Sequence, residues 1–243
     1  MPAPPRLLAF DLDGTLADTE PLKAVSYGWA ARRLRPDLDP ADVEAAYPAF
    51  VGRSRTEIAR ALTSRFGLAA AAAERDGSVE PWESYVALRL ERYRAMLADG
   101  DLVRSRARAE AVALARDARG LAERTALVTT SDRRNTDDVL AALGLSGAFD
   151  AVVTADDVGR TKPDPEGYRL ALAQTGVAAR DAVAVEDSPA GVRGALAAGL
   201  AVVVVPTALT RAPIRAMVAA GELDAAAVVE PAGLAAAVRE RLG

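Results

Sequence analysis

Two carboxylates one residue apart, Asp11 and Asp13, end an apolar run of strand length in the segment LLAFDLDGTLAD, residues 7–18. Alternation on a strand would send the two side chains to opposite faces. For both to reach one site the chain must bend after Asp11, and Gly14 permits such a bend. Acids held this close repel, and they are tolerated where a cation or a shared proton offsets the repulsion. A solvated Asp-rich turn is the plain alternative. The choice between the two rests on what the other strand ends carry.

The elements that must position these acids follow two patterns. Residues 6–10 read as a buried strand, near-continuous in apolar character as a central parallel strand should be. Residues 19–98 contain helical patterns and no convincing strand. Pro21 stands near the first helix start, Ser54-Arg55-Thr56-Glu57 forms a capping box, and Pro81 opens another helix. The alanine run 69–73 reads as a surface connection or a frayed helix. From about Leu102 the period becomes βαβ, with strands at 126–128, 151–153, 182–185 and 201–205 and a weaker one at 226–229. Helices between them open at Asp132, Asp164-Pro165 and Ser188-Pro189 and close at Gly144, Gly176 and Gly199. The pattern predicts an α/β fold with a doubly wound parallel sheet. Residues 1–17 and 100–243 would form the catalytic core, and 18–99 an inserted helical cap.

Composition narrows the chemistry. The 243 residues are 51% hydrophobic and 26% charged, enough to bury a full core. A net charge of −4, with no basic stripe, gives no reason to expect nucleic acid. No apolar run reaches membrane-spanning length and no secretory signal is evident, which leads to a cytoplasmic expectation. The chain has no Cys and no His. That removes disulfides, thiolate nucleophiles, Ser-His-Asp triads and the usual zinc sites, leaving acid–base work to Asp, Glu, Lys or Tyr. Of 30 Lys and Arg residues only Lys23 and Lys162 are lysine. A compact ammonium suits a tight pocket that a planar guanidinium would not fit.

Ligands of open parallel sheets bind beyond the carboxyl ends of the strands. The residues just past the apolar runs are Asp11 and Asp13, then Thr129-Thr130-Ser131, then Glu186-Asp187-Ser188, with Lys162 in the loop after 151–153. Each cluster alone could be helix-cap chemistry or a solvated loop. Four of them at successive strand ends define a site of acids, hydroxyls and one lysine. Carboxylates suit a small hard cation, most simply Mg²⁺. Hydroxyls and a lysine suit phosphate oxygens, and the combination is built for phosphoryl transfer.

These segments resemble the four motifs of the haloacid dehalogenase superfamily: Asp11-Leu12-Asp13-Gly14-Thr15-Leu16, Thr129, Lys162-Pro163-Asp164-Pro165, and Glu186-Asp187-Ser188-Pro189-Ala190-Gly191-Val192. The similarity is greatest to the phosphatase branch near beta-phosphoglucomutase and phosphoglycolate phosphatase, and it spans residues 6–205. The resemblance implies a Mg²⁺-dependent phosphatase acting on a small phosphorylated sugar or acid. Asp11 would be the nucleophile that forms an aspartyl-phosphate, and Asp13 the general acid and then the base. Asp11, Asp13 through its backbone carbonyl, and Asp187 would hold the metal, with Glu186 close by. Thr129 and Lys162 would hold the transferring oxygens, helped by backbone N–H groups near Leu12 and Thr130. An Asp two residues after the nucleophile sets the chain apart from the dehalogenases and phosphonate hydrolases of the superfamily.

In the cap, Lys23 and the segment Gly52-Arg53-Ser54-Arg55 resemble substrate-facing positions, so Lys23 and Arg55 would favour a second anionic or polyhydroxy group. The alternatives are a sugar phosphomutase, which carries a cap His where this chain has Lys23, and a non-catalytic module on the same fold. The expected partner is a small phosphate ester, with no nucleic acid and no membrane, and the protein a monomer or weak dimer.

Overall fold

A computed structural model of the chain describes residues 6–51, 54–76 and 80–243. The chain begins with β1 (Leu7–Phe10), followed by α1 (Glu20–Leu34), α2 (Pro40–Ala46), α3 (Arg55–Arg65), α4 (Ala69–Asp76) and α5 (Pro81–Leu97). Next come α6 (Gly100–Arg104), α7 (Ala109–Asp117), β2 (Arg124–Val128), α8 (Arg133–Ala142), β3 (Ala151–Val153) and α9 (Glu166–Thr175). The chain ends with β4 (Ala182–Glu186), α10 (Pro189–Ala197), β5 (Ala201–Val204), α11 (Arg211–Ala219) and α12 (Leu234–Leu242). Two compact units result: the residues up to Asp18 together with Gly100–Gly243, and the helical Thr19–Asp99.

The first unit is built on a five-stranded sheet in the order β3-β2-β1-β4-β5, with every pairing parallel. β1 is central and wholly buried, as its unbroken Leu-Leu-Ala-Phe requires once helices cover both faces. Phe10 lies opposite Leu127 of β2 and Val185 of β4. Strand order reverses between β1 and β4, which is where open α/β sheets leave a crevice at their carboxyl ends. One face of the sheet contributes Leu7, Ala9, Ala126 and Val128 to a core closed by Tyr168, Ile214 and Met217.

The helical unit has its own core, rich in aromatic rings. Tyr27 lies 5.5 Å from Tyr47 and 5.6 Å from Tyr85 between ring centroids, and Ile58, Leu62 and Leu88 fill around them. Arg89 is buried over the rings of Tyr27 and Tyr93, its guanidinium carbon 4.9 and 4.5 Å from their centroids. α3 opens with the capping box expected from sequence, Ser54 and Glu57 satisfying each other's backbone N–H. The alanine run 69–73 lies in α4, with Leu68 and Ala72 buried in this core.

Two local expectations change. Residues 226–229 do not form a strand. A 3₁₀ turn spans Ala225–Ala227, and only an isolated bridge from Val228 to Val204 extends the sheet. The Asp224 side chain accepts from the Ala226 N–H, small alanines offer little to a pleated surface, and Pro231 lacks the donor a ladder needs. The helix after Lys162 starts at Glu166 with Pro165 as its cap residue, and Asp164 accepts from the Glu166 N–H at 3.0 Å. Asp164 therefore serves the first turn from one position further out.

Candidate active site

The sheet delivers four groups to one edge. Asp11 follows β1 directly, its N–H bonded to the Val185 carbonyl at 3.0 Å, so the ladder runs right up to the first acid. Gly14 then takes φ +90°, and the turn closes with Gly14 N–H on the Ala17 carbonyl at 2.7 Å. A side chain there would be strained and its Cβ would run into the Asp187 carboxylate. Glu186 is the last residue of β4 and Asp187 the next, both buried. Thr129 follows β2, its N–H on the Val153 carbonyl at 2.9 Å.

Lys162 joins the strand ends. Its ammonium donates to Asp11 Oδ1 at 2.7 Å, to Glu186 Oε1 at 2.6 Å and to the Val128 carbonyl at 2.7 Å, which engages all three of its N–H donors. The side chain is only 5% exposed. Burial alone would lower its proton affinity, but the two carboxylates outweigh that and hold it protonated above the ordinary lysine value. Burial pushes Asp11 up to about 7, with Lys162 opposing the rise and Glu186 adding to it. A carboxylate in that position needs a positive neighbour to remain ionised. Tyr168 donates its hydroxyl to the same Glu186 oxygen and lies under the Lys162 ammonium, 5.1 Å from ring centroid to nitrogen. Burial first, and then the Glu186 charge, keep that phenol protonated.

Oxygens of Asp11, Glu186 and Asp187 lie within 4.8 Å of one another. Three buried carboxylates against one ammonium leave an excess of negative charge, and oxygen-only donors fit a hard divalent ion such as Mg²⁺. The donor set is therefore the right chemistry for the metal expected from sequence. Lys162 engages both Asp11 and Glu186, and Glu186 also accepts from Tyr168.

Asp13 adds a further carboxylate whose charge also acts on Asp11. Its Oδ2 accepts from the Ser131 hydroxyl at 2.6 Å, and Ser131 N–H in turn donates to Thr129 Oγ1 at 3.1 Å. The turn carrying Asp13 is braced by Arg108, which donates to the Gly14 carbonyl at 2.8 Å. On the far side, Thr210 donates to Asp187 Oδ2 at 3.2 Å.

The structure thus brings together Asp11, Asp13, Thr129, Lys162, Glu186 and Asp187 within the α/β unit. Thr130 is exposed beside them. Lys23 and Arg55 belong to the helical unit. The Lys23 ammonium lies 2.7 Å from Glu20, which also accepts from the Tyr47 hydroxyl at 2.6 Å. Arg55 opens α3, and its charge, like that of Lys23, acts on the Tyr27 phenol. Gly52 and Arg53, singled out with Arg55 in the sequence, lie outside the described residues.

Ser131, Tyr168, Thr210 and Arg108 were not among the expected site residues. Ser131 was signalled by the hydroxyl run it shares with Thr129. The pair Thr207 and Thr210 just past β5 is a signal of the same kind. Tyr168 and Arg108 carry no sequence signal, because only packing brings them in.

The family model of the haloacid dehalogenase-like hydrolases matches residues 5–199, well over half of the chain. The chain belongs to that family. This hydrolase is 33% identical over 209 residues to protein CbbY of Cereibacter sphaeroides, covering 84% of this chain and 85% of that one. It is 32% identical over 222 residues to the phosphoglycolate phosphatase of Rhodospirillum rubrum, covering 90% and 87%. Its fold is similar to that of a mutant CbbY from Rhodobacter sphaeroides solved in complex with xylulose-(1,5)bisphosphate. The TM-score there is 0.62 at 28% identity, over 86% of this chain and 89% of that one. These relatives place the hydrolase in the branch that includes phosphoglycolate phosphatase and the beta-phosphoglucomutase-like structures. Among its described residues no helix is long and apolar enough to cross a membrane.

Proposed function

We propose that this hydrolase is a Mg²⁺-dependent phosphatase that removes phosphate from a small phosphorylated sugar or organic acid through an aspartyl-phosphate on Asp11. The observation that carries the reading is the meeting of buried Asp11 and Glu186 on one ammonium, with an Asp187 oxygen within 4.8 Å of theirs and Asp13 on the Ser131 hydroxyl. The difference in partners gives the two acids of the first loop different work. Asp11 stays in the field of a cation and acts as the nucleophile, while Asp13 is left to exchange a proton.

In the first half-reaction an Asp11 oxygen attacks phosphorus in line, and the departing alkoxide takes a proton from Asp13. In the second, Asp13 takes a proton from water, which attacks the phosphorus of the aspartyl-phosphate and frees Asp11. Lys162, no longer facing a full carboxylate charge once Asp11 is esterified, turns its donor to a phosphoryl oxygen, with Thr129 beside it. Mg²⁺ would be held by the Asp11 and Asp187 carboxylates and the Asp13 backbone carbonyl, with Glu186 close by, and supplies the positive charge that lets an anionic nucleophile approach an anionic ester.

Residues 18–99 serve in this reading as a lid that excludes water during the reaction. Lys23 and Arg55 favour a substrate with a second anionic or polyhydroxy group. The sugar bisphosphate bound by CbbY and the small acid in the name of the phosphoglycolate phosphatase support that class.

Phosphate release from a panel of sugar phosphates, phosphorylated short acids and aryl phosphates tests the function. Turnover is expected only with Mg²⁺, abolished by EDTA and restored by excess metal. Absence of Mg²⁺-dependent release across the whole panel would return the chain to a binding module. A second test concerns Asp13. Ser131→Ala removes a hydrogen bond to a charged group, a loss of roughly 1.5–3 kcal/mol, or about 10- to 100-fold in rate if felt in the transition state. The fall is expected in kcat, with KM little changed. An unaltered kcat would show that Asp13 does not need its hydroxyl partner.

A further inference from the structure

An open pocket of about 370 Å³ lies within the α/β unit, its wall including none of Asp11, Glu186 and Asp187, and its size suits a small-molecule ligand. Its wall includes Asp18 and the guanidinium-bearing Arg106 and Arg108 on one side, and Thr207, Arg211 and Glu230 on the other. The first group belongs to a short antiparallel ribbon in which Asp18 N–H donates to the Arg106 carbonyl at 2.8 Å and Arg108 N–H to the Leu16 carbonyl at 2.9 Å. In the second, Thr207 follows β5 and Arg211 opens α11, with Glu230 beyond them in the chain.

Positive charge prevails there. Glu230 is held by Arg211 at 2.6 and 3.3 Å, and the charges of Arg215 and Arg108 act on it as well. Exposed pairs of this kind are weak and readily exchanged for a better acceptor. A wall carrying Arg106, Arg108 and Arg211 suits an oxyanion of two charges, which accepts from several forks at once.

We propose that this cavity is a second anion site, taking inorganic phosphate, and that its occupancy is felt at the reaction centre. The choice of phosphate, as the reaction's own product, rests on the hydrolytic reading, whereas the anion site itself does not. The connection is short. Arg108 braces the Gly14 carbonyl at 2.8 Å, and Thr207 bonds Thr210, which donates to Asp187. A dianion is a stronger acceptor than a peptide carbonyl. It draws the Arg108 donor away from Gly14 and loosens the turn that carries Asp13, which lowers kcat without touching substrate affinity.

Calorimetric titration of the whole Mg²⁺-loaded protein with inorganic phosphate tests the site without turnover. Two phosphates per chain are expected. Arg106→Gln and Arg211→Gln, on separate elements, are each expected to weaken one of them by about tenfold or more, the loss of one charge-assisted contact, and to leave the other intact. Inhibition of turnover by phosphate should show a component that lowers kcat in the wild type and is missing in both variants, whose phosphate-free kcat and KM stay near wild type. A wild type that binds one phosphate only overturns the proposal without any variant, as do two phosphates that both variants retain. Purely competitive inhibition at full occupancy of both sites overturns the coupling. Because stoichiometry is read independently of catalysis, failure of the phosphatase reading leaves the binding result interpretable.

Discussion

Asp11→Asn is expected to lower kcat by at least about 10⁴-fold, the scale on which loss of a covalent nucleophile is felt. The substitution keeps the shape of a side chain that is 9% exposed and removes the attacking oxygen. No neighbour can replace it. Glu186 and Asp187 are buried at the end of β4, one engaged by Lys162 and Tyr168 and the other by Thr210. The fold should survive, since the amide can still accept from Lys162 and the costly burial of a carboxylate is relieved. Steady-state kinetics on the best substrate of the panel, with thermal melts of both proteins, checks the prediction. The decisive control is chemical: wild-type protein quenched in acid during turnover should carry labelled phosphate on Asp11, and the variant none. A variant that keeps substantial turnover would remove Asp11 from the role of nucleophile.

Replacing Lys162 is expected to be nearly as damaging and to affect stability too. In Lys162→Met two buried carboxylates, Asp11 and Glu186, face each other without their shared cation. Breaking a buried ion pair from one side costs about 3–5 kcal/mol. For a chain of this size each kcal/mol lowers Tm by roughly 2–4 °C, so a fall on the order of 10 °C is expected in EDTA. Mg²⁺ should recover part of it, because a divalent ion at the same carboxylates offsets the same repulsion. Activity should fall by about 10³-fold or more, as removal of a preorganised donor at the transferring group does.

Lys162→Arg separates charge from shape. The three acceptors sit 2.6–2.7 Å from a single nitrogen. A planar fork cannot place three donors at one point. Stability should partly return in the arginine variant while activity does not. Full activity in Lys162→Arg would mean that only the charge matters.

The acids, the turn and the lysine were legible in the sequence because their chemistry is local to strand ends. Apolar runs such as residues 7–10 and 182–185 can only be buried parallel strands once helical periods separate them, and whatever follows each run must emerge at the same sheet edge. That placed Asp11, Thr129 and Glu186-Asp187 in one site. The rarity of lysine in an arginine-rich chain pointed to Lys162. The alanines of 226–229 misled, because hydrophobic character alone does not separate a strand from a turn held by Asp224.

What only the tertiary structure decided is how the charges are shared. Sequence order gives no sign that Lys162, 151 residues beyond Asp11, engages every donor on Asp11, Glu186 and Val128. Nor does it show that Tyr168 holds Glu186 and Thr210 holds Asp187, or that Ser131 donates to Asp13. These contacts cross between strands and helices, and a hydrogen bond depends on positions to within a few tenths of an ångström. The types of residue determine which chemistry can occur at the sheet edge. Packing determines which carboxylate meets the ammonium and which meets a hydroxyl, and so which acid can attack and which can carry the proton.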